Sequence, residues 1–182
     1  MPLTRRTAML SAIAASRALA QTKPNDQYPD AAPYVPAPPE ITEAMLKLAG
    51  VGSSDVVYDL GSGDGRIVIM AAKKFGATAV GVEIDTDLVH ESRETARRAG
   101  VADKVSILEQ DLFQTDIRRA SVVTMYLLPK TLDRLKPKLI AELKPGSRIV
   151  SFSFPMSNWP PTKVEEVNGR RVYLWVVSKD SK

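Results

Sequence analysis

The sequence predicts an α/β domain: a doubly wound, mostly parallel sheet of seven strands that ends in an antiparallel hairpin. Three observations predict it. Near-continuous apolar runs of strand length alternate with helical patterns, as in sheets covered on both faces. A glycine-dense turn, Gly61-Ser62-Gly63-Asp64-Gly65, joins the first of these runs to an apolar helix. Near the C-terminus, Asn168-Gly169 separates two further runs at the spacing of a two-residue hairpin turn.

The elements follow in order. Residues 1–23 have the form of a leader: Arg5-Arg6, a short weakly apolar run from Ala8 to Ala15, and Ala18-Leu19-Ala20 as a small-x-small cleavage site. Thr4-Arg5-Arg6 and Arg17 fit a twin-arginine export signal, which leads to an expectation of a periplasmic or secreted protein. A transit peptide or a plain tail, with a mitochondrial or cytoplasmic location, stays open. Residues 24–39 hold six of the thirteen prolines and read as an extended linker. The domain itself is expected over residues 40–182.

Pro38-Pro39-Glu40 open a helix whose apolar face is Ile41, Met45, Leu48 and Ala49. "VVYDL" (56–60) is the first strand, and Ile67 to Phe75 form a helix apolar almost all round. "TAVGVEI" (78–84) is the second strand. Thr86 or Asp87 caps a helix with a polar outer face that ends at Gly100. Strands follow at 104–110 and 121–128. The helix after them is expected to kink or restart at Pro137. A fifth strand (147–154) precedes the hairpin formed by "TKVEEV" and "RRVYLWVVS".

Composition narrows the function. The formal charge is +4, but Arg5, Arg6 and Arg17 precede residue 20 with no acid among them, leaving 22 basic against 21 acidic side chains. A nearly neutral body does not support a nucleic-acid partner. No apolar stretch is long enough for a membrane span. The chain has no cysteine and a single histidine, His90, so neither a disulfide nor a thiolate or histidine metal site is expected.

The glycine turn lies where this fold binds ligands, at the carboxyl end of a strand. A dinucleotide fingerprint requires a third glycine at the sixth position, which here is Arg66. A phosphate-gripping loop requires Gly-Lys-Ser/Thr, which is absent. Asp59 and Asp64 would repel an anion and attract a cationic ligand such as S-adenosylmethionine. Glu83, 20 residues past Gly63, is placed for ribose hydroxyls. Asp111 can accept from an adenine amino group, and Leu112 offers an apolar edge. Each has a plainer reading too: a tight turn for the glycines, a structural carboxylate for Asp59, a solvated strand end for Glu83, a turn cap for Asp111.

"VYDLGSGDGR", "AVGVEID", "EQDLF" and "VVTMYLLP", in this order, resemble a class I S-adenosylmethionine-dependent methyltransferase of the seven-strand, Rossmann-like type. "YVPAPPEITEAML" and "SFSFPMSNW" are similar to the protein-lysine methyltransferases among them, the broad-specificity archaeal enzymes and the mitochondrial enzymes that modify an ATP synthase component and the adenine nucleotide carrier. The resemblance covers roughly residues 33–178 and implies S-adenosylmethionine as cofactor and a protein lysine as acceptor. It implies a cofactor site of Tyr34, Pro36, Asp59, Gly61, Gly63, Asp64, Gly65, Glu83, Ile84, Asp111 and Leu112. It also implies an acceptor channel at Tyr34, Tyr126 and Phe154, although Tyr126, Phe154 and Trp159 read equally as core aromatics. No general base is nominated. Strand four ends "TMYLLP" and lacks the Asn/Asp-Pro-Pro-aromatic motif of enzymes acting on planar amides or base amines. A small-molecule methyltransferase or a non-catalytic cofactor-binding protein remains an alternative.

Overall fold

The sheet has seven strands in the order β3-β2-β1-β4-β5-β7-β6. A computed structural model describes residues 34–179. The leader and residues 24–33 of the linker lie outside the described residues. The strands are β1 (Val56–Leu60), β2 (Thr78–Glu83), β3 (Val105–Glu109), β4 (Val122–Met125), β5 (Arg148–Phe152), β6 (Lys163–Val167) and β7 (Arg170–Val176). The first five pair in parallel, and β7 pairs antiparallel with both β5 and β6. The switch point, where the order turns back from β1 to β4, is the place this architecture reserves for ligands.

Among the described residues four α-helices pack on the sheet: α1 (Pro39–Leu48), α2 (Arg66–Phe75), α3 (Thr86–Arg98) and α4 (Pro129–Glu142). Strand side chains alternate between faces, so the sheet separates two cores. On one face Val57, Ala79, Val122, Val150 and Phe152 pack with α1, α2 and α3. On the other, Leu60, Val82, Val123, Met125 and Ile149 pack with Leu132, Leu135 and Leu139 of α4. The apolar face of α1 is wider than its spacing suggests, since Leu46 and Thr42 are buried with Ile41 and Met45.

Three expectations are corrected. The cap of α3 is neither Thr86 nor Asp87 but Asp85, whose side chain accepts from the amides of Asp87 and Leu88. Of the kink or restart expected at Pro137, the restart does not occur: α4 runs as one helix from Pro129 to Glu142. Burying Leu132 and Leu135 before the proline and Leu139 after it outweighs a penalty of about 3 kcal/mol, and Lys136 ties the same stretch to the carbonyls of Ser157 and Asn158, each at 3.0 Å. Strand four is shorter than expected, because Pro129 starts α4 and holds Leu128 extended as its N-cap. Tyr126, Leu127 and Leu128 therefore leave the sheet at its carboxyl edge.

Candidate functional site

The parallel register sets Asp59 at the carboxyl edge of β1, with Gly81 of β2 on one side and Thr124 of β4 on the other. Asp59 is 2% exposed. The Thr124 hydroxyl donates to its Oδ1 at 2.7 Å. Burial pushes the carboxyl from an ordinary 3.8 up to about 7; the Thr124 bond opposes the rise, and the charges of Glu83 and Asp64 add to it. A carboxyl that ionises only near neutrality is poised to respond to a cation.

The glycine turn is fastened to β2. The amides of Gly61 and Ser62 both donate to the Val82 carbonyl at 2.9 Å. Gly81 allows this approach: a Cβ there would lie 2.7 Å from Ser62 Oγ and 2.9 Å from Ile107 Cδ1. Ser62 Oγ is buried with no hydrogen-bond partner among the described residues. Glu83 is held by three amides: Gly63 donates to Oε2 at 2.8 Å, and Ile84 and Asp85 donate to Oε1 at 2.7 and 2.9 Å. A carboxylate has about four acceptor positions, so Oε2 keeps capacity for a ligand hydroxyl.

Sequence reading missed Arg66. Its Nε donates to Asp64 Oδ1 at 2.9 Å and its Nη2 to Oδ2 at 2.6 Å, the bidentate geometry that a guanidinium favours. Its Nη1 donates to the Ala37 carbonyl at 2.7 Å. One side chain thus clasps the segment before α1 onto the glycine turn. The Asp64 carboxyl is held below its usual range: burial raises it, but its bonds with Arg66 outweigh that. Asp64 is therefore matched by a cation already, and the negative character of the site rests on Asp59 and Glu83. A signal existed in the sequence, since Asp64 and Arg66 straddle Gly65, but a pair two residues apart reads as turn chemistry.

Tyr34 lies over the turn. A Cβ on Gly63, which has φ +53°, would sit 2.3 Å from Tyr34 Cε2. Burial, with Asp64 beside it, raises the Tyr34 phenol above its ordinary value, and Arg66 opposes the rise. Pro36 is exposed and Ala37 is buried beneath the clasp. At the far end of β3, Asp111 Oδ1 accepts from the Phe113 amide at 2.8 Å and so caps the turn that carries half-buried Leu112.

The aromatics expected at one channel fall into two groups. Tyr126 packs against Phe152, ring centroids 4.5 Å apart, on the face of α1 to α3. Arg170 lies over the same Phe152 ring, 6.0 Å from its centroid. Phe154 and Trp159 pack on the other face with the α4 core. Trp159 is fixed there by its carbonyl, which accepts from Trp175 Nε1 at 2.8 Å. Phe152, unnoticed in the sequence because it reads as strand interior, is thus the neighbour of Tyr126. His90 is exposed on α3.

The family model of the ANTKMT methyltransferase domain matches residues 59–163. A protein-lysine N-methyltransferase of Saccharolobus islandicus is 46% identical over 152 residues, covering 81% of this chain and 94% of that protein. An adenine nucleotide translocase lysine N-methyltransferase of Mus musculus is 38% identical over 145 residues, 80% of this chain, and the chain spans 63% of its length. Among solved structures, an RNA methyltransferase from Salinibacter ruber in complex with S-adenosyl-L-homocysteine is 49% identical with a TM-score of 0.79, covering 80% of this chain and 95% of that one.

Proposed function

The chain belongs to the ANTKMT methyltransferase family, and from that premise we propose that it transfers a methyl group from S-adenosylmethionine to the side-chain amine of protein lysines. The observation that carries the reading is a glycine turn flanked by two carboxylates at the switch point of the sheet, in a chain 46% identical to a protein-lysine N-methyltransferase.

The residues present fit the cofactor. A turn with positive φ at Gly61, Gly63 and Gly65 lets a ligand approach the backbone. Asp59 and Glu83 suit a molecule with cationic groups and ribose hydroxyls, and the unpartnered Ser62 hydroxyl leaves a polar group to satisfy. Asp59, Gly61, Gly63, Gly65, Glu83 and Ile84 would hold it, with Asp111 and Leu112 toward the adenine and with Tyr34 and Pro36 covering it. Asp64 acts here through Arg66. When bound, S-adenosylmethionine would supply a methyl carbon on a sulfonium, open to in-line attack by a neutral amine, with the C–S bond breaking and the neutral thioether as leaving group.

The chain's own share is approach and desolvation. A lysine arrives protonated, and its proton must pass to solvent before attack. An apolar wall at half-buried Tyr126, backed by the buried Phe152 ring, disfavours the charged ammonium and lowers its pKa. Alignment then supplies most of the rate. No side chain is required as general base.

The Salinibacter ruber relative is described as an RNA methyltransferase, so the acceptor class is the point to test. The near-equality of 22 basic and 21 acidic side chains beyond residue 20 supports a protein rather than a polyanion. Incubation with labelled S-adenosylmethionine and separate protein, RNA and small-molecule fractions should place the label in protein as methyl-lysine. Label confined to RNA or to small molecules would overturn the lysine reading and leave methyl transfer standing.

A further inference from the structure

Strand β5 does not simply fray at its carboxyl end. The Phe154 amide donates to the Phe152 carbonyl at 2.9 Å, closing a three-residue turn around Ser153. Ser153 has φ +67°. A two-residue hydrogen bond across a positive φ is the rare, strained form of the γ-turn. Such strain persists only where neighbouring bonds enforce it. Two do so here. The Ser153 amide donates to the Arg171 carbonyl of β7 at 2.9 Å. The hydroxyl of Ser151, 0% exposed, donates to the Phe154 carbonyl at 2.7 Å.

The turn is where the two aromatic groups part. Phe152, before it, points to one face and holds Tyr126; Phe154, after it, points to the other. The path of the chain at Ser153 therefore sets both rings at the end of β5, beside the strand-four residues that leave the sheet. A serine buried completely inside a sheet contributes little packing. Its hydroxyl is spent on one backbone carbonyl, the one that closes this turn.

We infer that Ser151 is a positioning residue for methyl transfer: through the Phe154 carbonyl it locks the strained turn at Ser153 that places buried Phe152, the ring that backs Tyr126 at the acceptor site. The inference rests on the lysine-methyltransferase reading and deepens it. It assigns a role in turnover, not in cofactor binding, because the Ser151 hydroxyl bonds to the Phe154 carbonyl and not to the glycine turn.

The full chain and its variants are compared for kcat on a lysine-containing protein acceptor, for S-adenosylmethionine affinity by calorimetry, and for thermal unfolding. Ser151→Ala is expected to lower kcat by about tenfold to a hundredfold with cofactor affinity within about twofold of the parent, and Ser151→Thr, which keeps the hydroxyl, to recover most of the rate. Ser153 is half-buried, so its variants keep the test open if Ser151→Ala unfolds. Ser153→Gly, free at positive φ, should keep kcat and raise the melting temperature; Ser153→Val should lower kcat without loss of cofactor affinity. An undiminished kcat in folded Ser151→Ala or Ser153→Val, or a parallel loss of cofactor affinity, overturns the inference. Failure of the lysine reading is separate, for then the unaltered protein itself labels no lysine.

Discussion

Thr124 and Asp59 are 65 residues apart in the chain and joined by a 2.7 Å hydrogen bond inside the sheet, between strands that lie side by side. The hydroxyl is the direct partner of a carboxyl that is otherwise enclosed, and a single neutral donor does not repay the loss of water. The carboxyl is therefore held protonated up to about pH 7.

That gives a pH dependence with a definite sign. Below the unfolded value of 3.8, Asp59 is protonated folded or unfolded and contributes nothing. As pH rises from there to about 7, the unfolded chain releases the proton and the folded one keeps it, so stability falls. Above 7 the penalty is complete, on the order of 4 kcal/mol for a shift of this size. Asp59→Asn should then stabilise the cofactor-free protein at about pH 8 and much less at about pH 4, while weakening S-adenosylmethionine binding. Urea unfolding at the two pH values checks it, and an equal gain at both would contradict it.

Gly63→Ala places a methyl 2.3 Å from the Tyr34 ring and forces an alanine to φ +53°. The backbone strain costs about 1–2 kcal/mol. Tyr34 is 45% exposed and can swing away, so the protein should stay folded but lose the aromatic cover of the turn. Calorimetry should find S-adenosylmethionine affinity reduced by about tenfold or more, as expected where about 1.4 kcal/mol of contact is lost.

Arg66→Ala removes the bonds to Asp64 and to the Ala37 carbonyl together. Amide exchange over residues 34–38 should accelerate, with the rest of the sheet unchanged. Cofactor affinity should fall with it. Arg66→Lys should fail to rescue, because an ammonium cannot span the Asp64 carboxylate and the Ala37 carbonyl as a planar fork does. Full rescue by lysine would show that charge alone suffices.

At the opposite edge of the sheet, Arg148 pairs with Asp55 and donates to the carbonyls of Ala49 and Gly50 at 2.8 and 3.2 Å. Asp55 also accepts from Ser121 at 2.7 Å and from Gly52 at 2.9 Å. This knot joins the starts of β1, β4 and β5 and lies at the end of the sheet away from the glycine turn. Arg148→Ala strands a largely buried carboxylate and should cost about 2–4 kcal/mol in unfolding. Cofactor affinity measured well below the melting temperature should not change.

The chain itself determined what depends on neighbours in sequence. "VVYDL" is apolar but for Asp59 because its strand is covered on both faces, and β1 runs over those same residues 56–60. Asn168-Gly169 makes a hairpin because both residues accept positive φ, and both have it. The glycine turn and the acids near it were legible for the same reason: backbone freedom and charge belong to the residue.

The tertiary structure decided what depends on partners brought from afar. Only strand order sets Thr124 against Asp59, and the clasp of Arg66 on Ala37, together with the Tyr34 hydroxyl's bond to Asp64, holds Tyr34 over Gly63. Asp64 reads as an open negative charge in the sequence and is a matched one in the fold. Phe152 and Phe154 look alike two residues apart, and a strand would point them to the same face. A single strained residue between them sends their rings to opposite cores. Pairing energy of this kind lies in the contact between segments, so no local pattern of residue types records it.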